Sequence, residues 1–317
     1  MVWCETRSRV VEDRGATLRV VLPGGRLDSF TSRAAERPVV GDDVLVDAEM
    51  RRILSIVPRR SWIARVRPDG TPQFVAANVT TGLIVTSPEP REFSPRRVVR
   101  YLVALRSGRV DPVVLLNKCD GELDCTSFVD ALRRVAGDAP VVPVSARDGT
   151  NCEALEPYLQ GGSTLALCGS SGVGKSTLLN RILGRNAMAT DRMREDGRGR
   201  HTTTFRRLFL LSNGAAIIDT PGMRAFSAWA SSDDVDDAFA DVSALAARCR
   251  FSDCTHSSEP GCAVLAQAQG ERLEQWQKLR REAEWLASRE DAALAAARKR
   301  RWKKIHKAAR QARKLLE

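Results

Sequence analysis

Gly169-Ser170-Ser171-Gly172-Val173-Gly174-Lys175-Ser176 has the composition of a phosphate cradle. Glycines let the backbone turn successive N–H groups toward phosphate oxygens, at the positive end of the helix that must follow. In such a cradle Lys175 neutralises the β- and γ-phosphates and the Ser176 hydroxyl ligates Mg²⁺, with Thr177 completing the turn into the helix. Asp219-Thr220-Pro221-Gly222 supplies a second half: the Asp219 carboxylate can hold Mg²⁺ through water, and the Gly222 N–H can meet the γ-phosphate. Alone, those four residues would equally suit an ordinary turn. Asn117-Lys118-Cys119-Asp120 adds a choice of base, because the Asp120 carboxylate can accept hydrogen bonds from the ring N–H and 2-amino group of guanine, which adenine cannot supply. Ser145-Ala146 offers a backbone N–H to the guanine carbonyl oxygen. Together these are the motifs of a GTP hydrolase, with Mg²⁺ held by Ser176 and Asp219.

A second constellation lies further on. Cys249, Cys254, His256 and Cys262 place three thiolates and an imidazole within one short stretch, the donor set of a closed tetrahedral zinc site with a structural role. Four unrelated buried residues are the competing reading. Cys4, Cys119, Cys125, Cys152 and Cys168 are scattered and read as unpaired thiols, since a reducing cytosol does not preserve structural disulfides.

The elements that position these residues follow from apolar patterning. Leu83 to Val85, Val113 to Leu116, Val141 to Val144, Leu165 to Leu167 and Ala215 to Ile218 are short apolar runs separated by helical stretches, the pattern of a parallel sheet covered on both faces. Four of the five lead straight into a polar motif, and ligands of open α/β sheets bind outside the carboxyl ends of the strands. Upstream, Leu18 to Leu22, Val44 to Val46 and Ile53 to Val57 alternate with Gly-rich turns, which predicts a small barrel, an OB-fold, either binding RNA or purely structural. Beyond Ser231 the pattern is helical. The chain thus divides into a barrel at 1–62, an α/β GTPase domain at 63–228 and a helical zinc-binding domain at 229–317.

Composition narrows the class. With 317 residues, 43% hydrophobic and 28% charged, the chain is that of a soluble globular protein, not a fibre or a disordered polymer. No apolar run approaches the roughly 20 residues of a membrane span, and charges interrupt the N-terminus before a signal peptide can form, so a cytoplasmic protein with no membrane partner is expected. Most of the net charge of +11 sits between Arg298 and Glu317, where ten basic residues face one carboxylate. Such a terminus suits a polyanion such as RNA, or else a solvated helix face. Nothing in the surface pattern suggests a symmetric interface, so a monomer is expected.

The order of the motifs is unusual: the base-reading residues at 117–120 and 145–146 precede the phosphate loop, a circular permutation of the common GTPase order. With Gly197-Arg198-Gly199-Arg200-His201-Thr202-Thr203-Thr204, the barrel and the Cys/His cluster, this order makes the chain resemble the RsgA (YjeQ) family over nearly its whole length. That resemblance implies a circularly permuted GTPase, with GTP and GDP as ligands, acting in maturation of the small ribosomal subunit and on its rRNA, with hydrolysis stimulated by the subunit and coupled to release. It also implies zinc at the four Cys/His positions, and a first switch in which one of Thr202, Thr203 or Thr204 (Thr203 in the working assignment) ligates Mg²⁺ and senses the γ-phosphate. Where many GTPases carry a water-orienting glutamine this chain has Met223, so slow intrinsic hydrolysis is expected. His201 can replace it as a catalytic group beside Lys175, or contact RNA, or stand as an exposed loop histidine. The segment after Gly222 leads into the C-terminal domain, so nucleotide state could move that domain. Thr80 stands where the family commonly has aspartate. Two competing functions remain at this level: an RNA-binding scaffold with a merely structural nucleotide, and an ATP-dependent kinase or ATPase, against which Asp120 speaks.

Overall fold

Alternating apolar residues close the N-terminal strands on themselves. In a computed structural model, which describes residues 5–34, 36–67, 69–120, 124–186, 206–220, 230–268, 270 and 272–289, five strands form this part: β1 (Glu5–Asp13), β2 (Leu18–Val21), β3 (Leu27–Ser32), β4 (Asp43–Asp47) and β5 (Arg52–Ile56). β1 pairs with β2 and β4, β2 with β3, and β5 with both β3 and β4, so the ring closes into the expected OB-type barrel. Val10, Leu18, Val20, Phe30, Val44, Val46 and Ile53 fill it.

A hairpin of β6 (Trp62–Val66) and β7 (Pro72–Ala77), which the apolar runs did not reveal, leads to the core sheet. There β8 (Thr81–Thr86), β9 (Asp111–Leu116), β10 (Val141–Pro143), β11 (Thr164–Cys168), β12 (Arg207–Leu210) and β13 (Ala216–Asp219) lie in the order β10-β9-β8-β11-β13-β12, parallel except for β12. Each run of strand residues sends alternate side chains to opposite layers, as a period of two requires. Ile84, Val114, Ala166 and Ile218 join the layer under α1 (Pro95–Ser107) and α2 (Thr126–Ala136). Leu83, Leu115, Leu165 and Ile217 face α3 (Lys175–Asn186) and a 3-10 turn over Cys152–Tyr158. Ser94 caps α1, its Oγ accepting from the Arg97 N–H at 3.3 Å, with Pro95 at the first turn where its missing N–H costs nothing.

Barrel and core share one sheet: β1 meets β12 at Glu12 and Arg207, making eleven strands in all. Arg9 reinforces the junction by donating to the Gly41 and Asn78 carbonyls, both at 3.3 Å, and to Thr164 Oγ1 at 2.9 Å. Thr80 has a structural role here. Its Oγ1 donates to the Thr164 carbonyl and accepts from the Thr164 N–H, both at 3.0 Å, a double role that an ionised carboxylate cannot fill.

The chain divides into two compact units, Met1–Arg65 with Gln73–Ala228, and Val66–Pro72 with Trp229–Glu317. The second contains α4 (Ser232–Ala238), α5 (Ala240–Ala246), α6 (Ala263–Gln267) and a longer helix over residues 272–289, here α7. Trp276, Leu279, Ala283 and Leu286 of α7 are buried, as their helical spacing predicts, while Ala293, Ala297 and the basic tail from Arg298 lie outside the described residues. Among the described residues no helix is long and apolar enough to cross a membrane.

Candidate guanine-nucleotide site and metal centre

The phosphate loop begins where the fully buried β11 ends and runs into α3. Two of its glycines are sterically required. At Gly169 (φ +140°) a Cβ would strike the Val85 carbonyl, and at Gly174 (φ +94°) it would strike the Asn117 amide. Lys175 Nζ donates to the carbonyls of Gly169 at 2.8 Å and Ser170 at 2.5 Å, which curls its ammonium over the loop.

Asn117 is the hub of the site. It is buried at the end of β9, where its Nδ2 donates to the Val173 carbonyl at 2.7 Å and its Oδ1 accepts from the Ala146 N–H at 2.9 Å. One side chain thus fastens the phosphate loop to both base-reading segments. This changes the expectation for Ser145-Ala146: the Ala146 N–H is donated to Asn117 and the Ser145 N–H to the Thr150 carbonyl at 2.9 Å, so both are engaged within the protein. Asp120 is partly exposed, 3.6 Å from the exposed end of Arg147. A pocket of about 420 Å³ lies between Ala146, Arg147 and the Thr177 to Gly184 face of α3.

Asp219 closes β13, opposite Leu167 of β11, and the Thr220 hydroxyl bonds the Leu167 carbonyl. Burial holds the Asp219 carboxyl above the usual carboxylate range, against the opposing pull of Lys175. A carboxylate desolvated in this way fits a bound cation, which would relieve it. Gly222, Met223, His201 and Thr202 to Thr204 lie outside the described residues, as does the segment from 221 to 229.

In the second unit the four expected metal ligands converge. Cys249 Sγ stands 3.5 Å from His256 Nδ1 and 3.8 Å from Cys262 Sγ, and His256 Nδ1 is 3.4 Å from Cys262 Sγ. With Cys254 Sγ, all four atoms lie within 4.8 Å of one another. Thiolates about 2.3 Å and an imidazole about 2.0 Å from a tetrahedral ion would be separated by about 3.8 Å between sulfurs and about 3.5 Å between sulfur and nitrogen. The cluster therefore has the dimensions of a metal site. Burial lowers the proton affinity of His256, which keeps the imidazole available as a ligand, and Gln277 Nε2 fixes its backbone by donating to the His256 carbonyl at 2.9 Å.

A family model described as RsgA GTPase matches residues 56–229. The small ribosomal subunit biogenesis GTPase RsgA of Methanosarcina acetivorans is 39% identical, over 94% of this chain and 85% of its own length. The protein of the same name from Opitutus terrae is 41% identical, over 90% and 83%. The chain belongs to the RsgA GTPase family. Among solved structures, YjeQ from Thermotoga maritima superposes with a TM-score of 0.62 at 25% identity, covering 88% of this chain and 98% of that one. YloQ, a circularly permuted GTPase, gives 0.60 at 21% identity and shares the fold. An ABC transporter model also matches, over residues 152–309. That stretch carries the phosphate loop common to many nucleotide hydrolases but neither Asn117 nor Asp120.

This chain holds its nucleotide loops with residues that no motif signals. Glu89 Oε1 accepts from Lys118 Nζ at 2.8 Å. Glu92 accepts from the Ser170 hydroxyl, which in turn accepts from Arg97 at 3.0 Å. Arg181 of α3 donates to the Ala146 carbonyl at 2.6 Å and to that of Arg147. Their only sequence cue is position, between β8 and the first turn of α1 or nearly two turns into the helix after the phosphate loop. A second departure concerns Cys119 and Cys125, expected as free thiols: they are joined by a disulfide, with Cα atoms 6.1 Å apart. Both lie at the end of the base-reading loop, so a gap of six in sequence closes in space. Cys152 and Cys168 form no disulfide, as expected; both are buried, and burial pushes the Cys168 thiol up to about 12.

Proposed function

We propose that this RsgA-family GTPase acts in the cytoplasm, as a monomer, in late maturation of the small ribosomal subunit, hydrolysing GTP to GDP and phosphate on the subunit and leaving it afterwards. The observation that carries the nucleotide half is Asn117, whose two hydrogen bonds fasten the phosphate loop to the base-reading segments in one unit. The ribosomal half rests on the names of the relatives and on the basic chemistry of the C-terminal tail. We assign the division of labour to a barrel at 1–62, a GTPase domain at 63–228 and a zinc-binding domain at 229–317, the first and last meeting rRNA.

In this reading Gly169 to Thr177 hold the phosphates, and Lys175 stabilises charge that grows on the β–γ bridge and γ-oxygens as the bond to the leaving GDP breaks. Asp120 accepts from the guanine ring N–H and 2-amino group, with the stem of Lys118 against the base and Glu89 anchoring its ammonium. Cys119, Ser145 and Ala146 frame the base edge. Ser176, Thr203 and Asp219 would hold Mg²⁺, which with GTP would spread the phosphate charge. Gly222 reports the γ-phosphate. With Met223 unable to orient water, His201 or a group brought by the subunit completes the site, which makes hydrolysis dependent on the partner. Cys249, Cys254, His256 and Cys262 hold one structural Zn²⁺.

The test is GTP turnover by the purified protein with small subunits, with large subunits, with neither, and with ATP in place of GTP. Stimulation confined to GTP and small subunits, and abolished in Lys175→Ala, is expected. Turnover indifferent to subunits would withdraw the ribosomal half, and binding of nucleotide without any turnover would leave a scaffold.

A further inference from the structure

We propose that Cys119 and Cys125 form a reversible thiol–disulfide site that sets how fast the guanine nucleotide leaves. This rests on the reading of Asp120 as the residue that binds the base.

Cys119 directly precedes Asp120, and its N–H donates to the Val144 carbonyl at 3.1 Å, beside the second base-reading segment. Cys125 is the N-cap of α2, where the helix dipole stabilises negative charge. Their Cα separation of 6.1 Å lies inside the range a disulfide can bridge without moving the backbone. Both are partly exposed, so a small thiol or disulfide can reach them, whereas Cys152 and Cys168 are buried and Cys249, Cys254 and Cys262 belong to the metal cluster. In a reducing compartment a bond of this kind is typically transient and regulatory.

The bonded form already has the base-reading arrangement: Asn117 keeps both its hydrogen bonds and Asp120 its approach to Arg147. Its effect is to tether the Asp120 loop to α2, which is anchored in the core by Val129 and Leu132. The reduced loop keeps the Asn117 bonds and the Cys119 N–H bond to the Val144 carbonyl but loses its covalent link to α2, so Asp120, the next residue, can withdraw from the base. The bonded loop cannot, and dissociation slows. The chemistry is an exchange with a low-molecular-weight disulfide. One protein thiolate attacks a sulfur of the small disulfide and expels one small thiolate. The second protein thiolate then attacks the mixed disulfide and expels the other, so two electrons pass from the two cysteines to the small disulfide, which leaves as two thiolates.

The experiment uses the full-length protein carrying a fluorescent GDP analogue, treated either with oxidised glutathione or with dithiothreitol, and peptide mass mapping of both samples. Expected are a mapped Cys119–Cys125 link and a dissociation rate lowered about fivefold or more in the oxidised sample, restored by dithiothreitol. Cys125→Ser, which removes the thiol where Cys125 makes no side-chain capping bond, should release the analogue at the reduced rate under both treatments. Absence of the mapped link, an unchanged or faster rate with the link present, or an oxidant effect that persists in Cys125→Ser would overturn the proposal. Failure of the reduced protein to bind the analogue would instead bring down the nucleotide reading, and the proposal with it.

Discussion

The phosphate loop and the cysteine knuckle both hold backbone in conformations that ordinary residues avoid, and they do so by opposite means. Around Gly169 to Ser176 the constraint comes from the fold: two apolar layers pin the strand and helix on either side, and Asn117 ties the loop across to β9. Around Cys249 to Cys262 no strand is present. Phe251 and Leu265 are exposed at 42% and 43%, and the left-handed His256 (φ +56°) is held by the Gln277 bond to its carbonyl and by the cluster it belongs to. The surrounding fold thus shapes the phosphate loop, whereas the knuckle relies on a donor set that a structural ion can draw together.

The sharpest way to separate the two is to remove the metal. Exhaustive chelation, or Cys262→Ser, should unfold the knuckle, because a structural zinc site contributes on the order of 10 kcal/mol to a small domain. GDP binding by the first unit should survive. Calorimetry of the full chain would then show loss of one transition and retention of another, and a common loss of both would show that the nucleotide site depends on the metal after all.

The reverse experiment is Asn117→Ala. It leaves the Val173 carbonyl and the Ala146 N–H without their partner inside the core, at about 1–3 kcal/mol for each buried group. Guanine-nucleotide affinity should fall by about a hundredfold or more, while metal content by atomic absorption stays at the wild-type level. Asp120→Asn should act more narrowly, costing about 1.5–3 kcal/mol of GTP affinity by replacing a charged acceptor with an amide. Its amide can instead donate to a 2-carbonyl, so xanthosine triphosphate should gain on GTP in competition binding. Equal losses for both nucleotides would show that Asp120 does not touch the base edge.

Sequence pattern made one side of this comparison plainer than the other. Parallel strands buried on both faces advertise themselves as apolar runs, and Asn117, Asp120, Lys175 and Asp219 were found because each ends or follows such a run. The four metal ligands were legible from donor type and spacing alone. What remained hidden depends on long-range placement: Glu92 meets Ser170 only because the β8–α1 connection folds over the phosphate loop, and β1 meets β12 through a pairing between Glu12 and Arg207. The Cys119–Cys125 bond was missed for a different reason. Compartment chemistry argued against disulfides in general, whereas local geometry at the start of α2 decides this one.

The smallest effect tests how much the knuckle's own polypeptide contributes. Glu259 accepts from the N–H groups of Thr255 at 2.8 Å, Ser257 at 2.9 Å and Ser258 at 3.1 Å, together with the Thr255 hydroxyl. These bonds, led by the one from the Thr255 side chain, hold its carboxyl far below the usual carboxylate range. A depressed carboxyl contributes stability that is fully present above its ordinary pKa of about 4.3 and is lost only as pH falls toward the folded value. At pH 7 the contribution is therefore complete. Glu259→Gln keeps the shape but weakens the acceptor, so metal release to a chromogenic chelator at pH 7 should quicken by less than the roughly tenfold that losing a direct partner of a ligand costs. If release instead quickened as much as in Cys262→Ser, the loop rather than the ion would be the organiser of the knuckle, and the contrast with the phosphate loop would disappear.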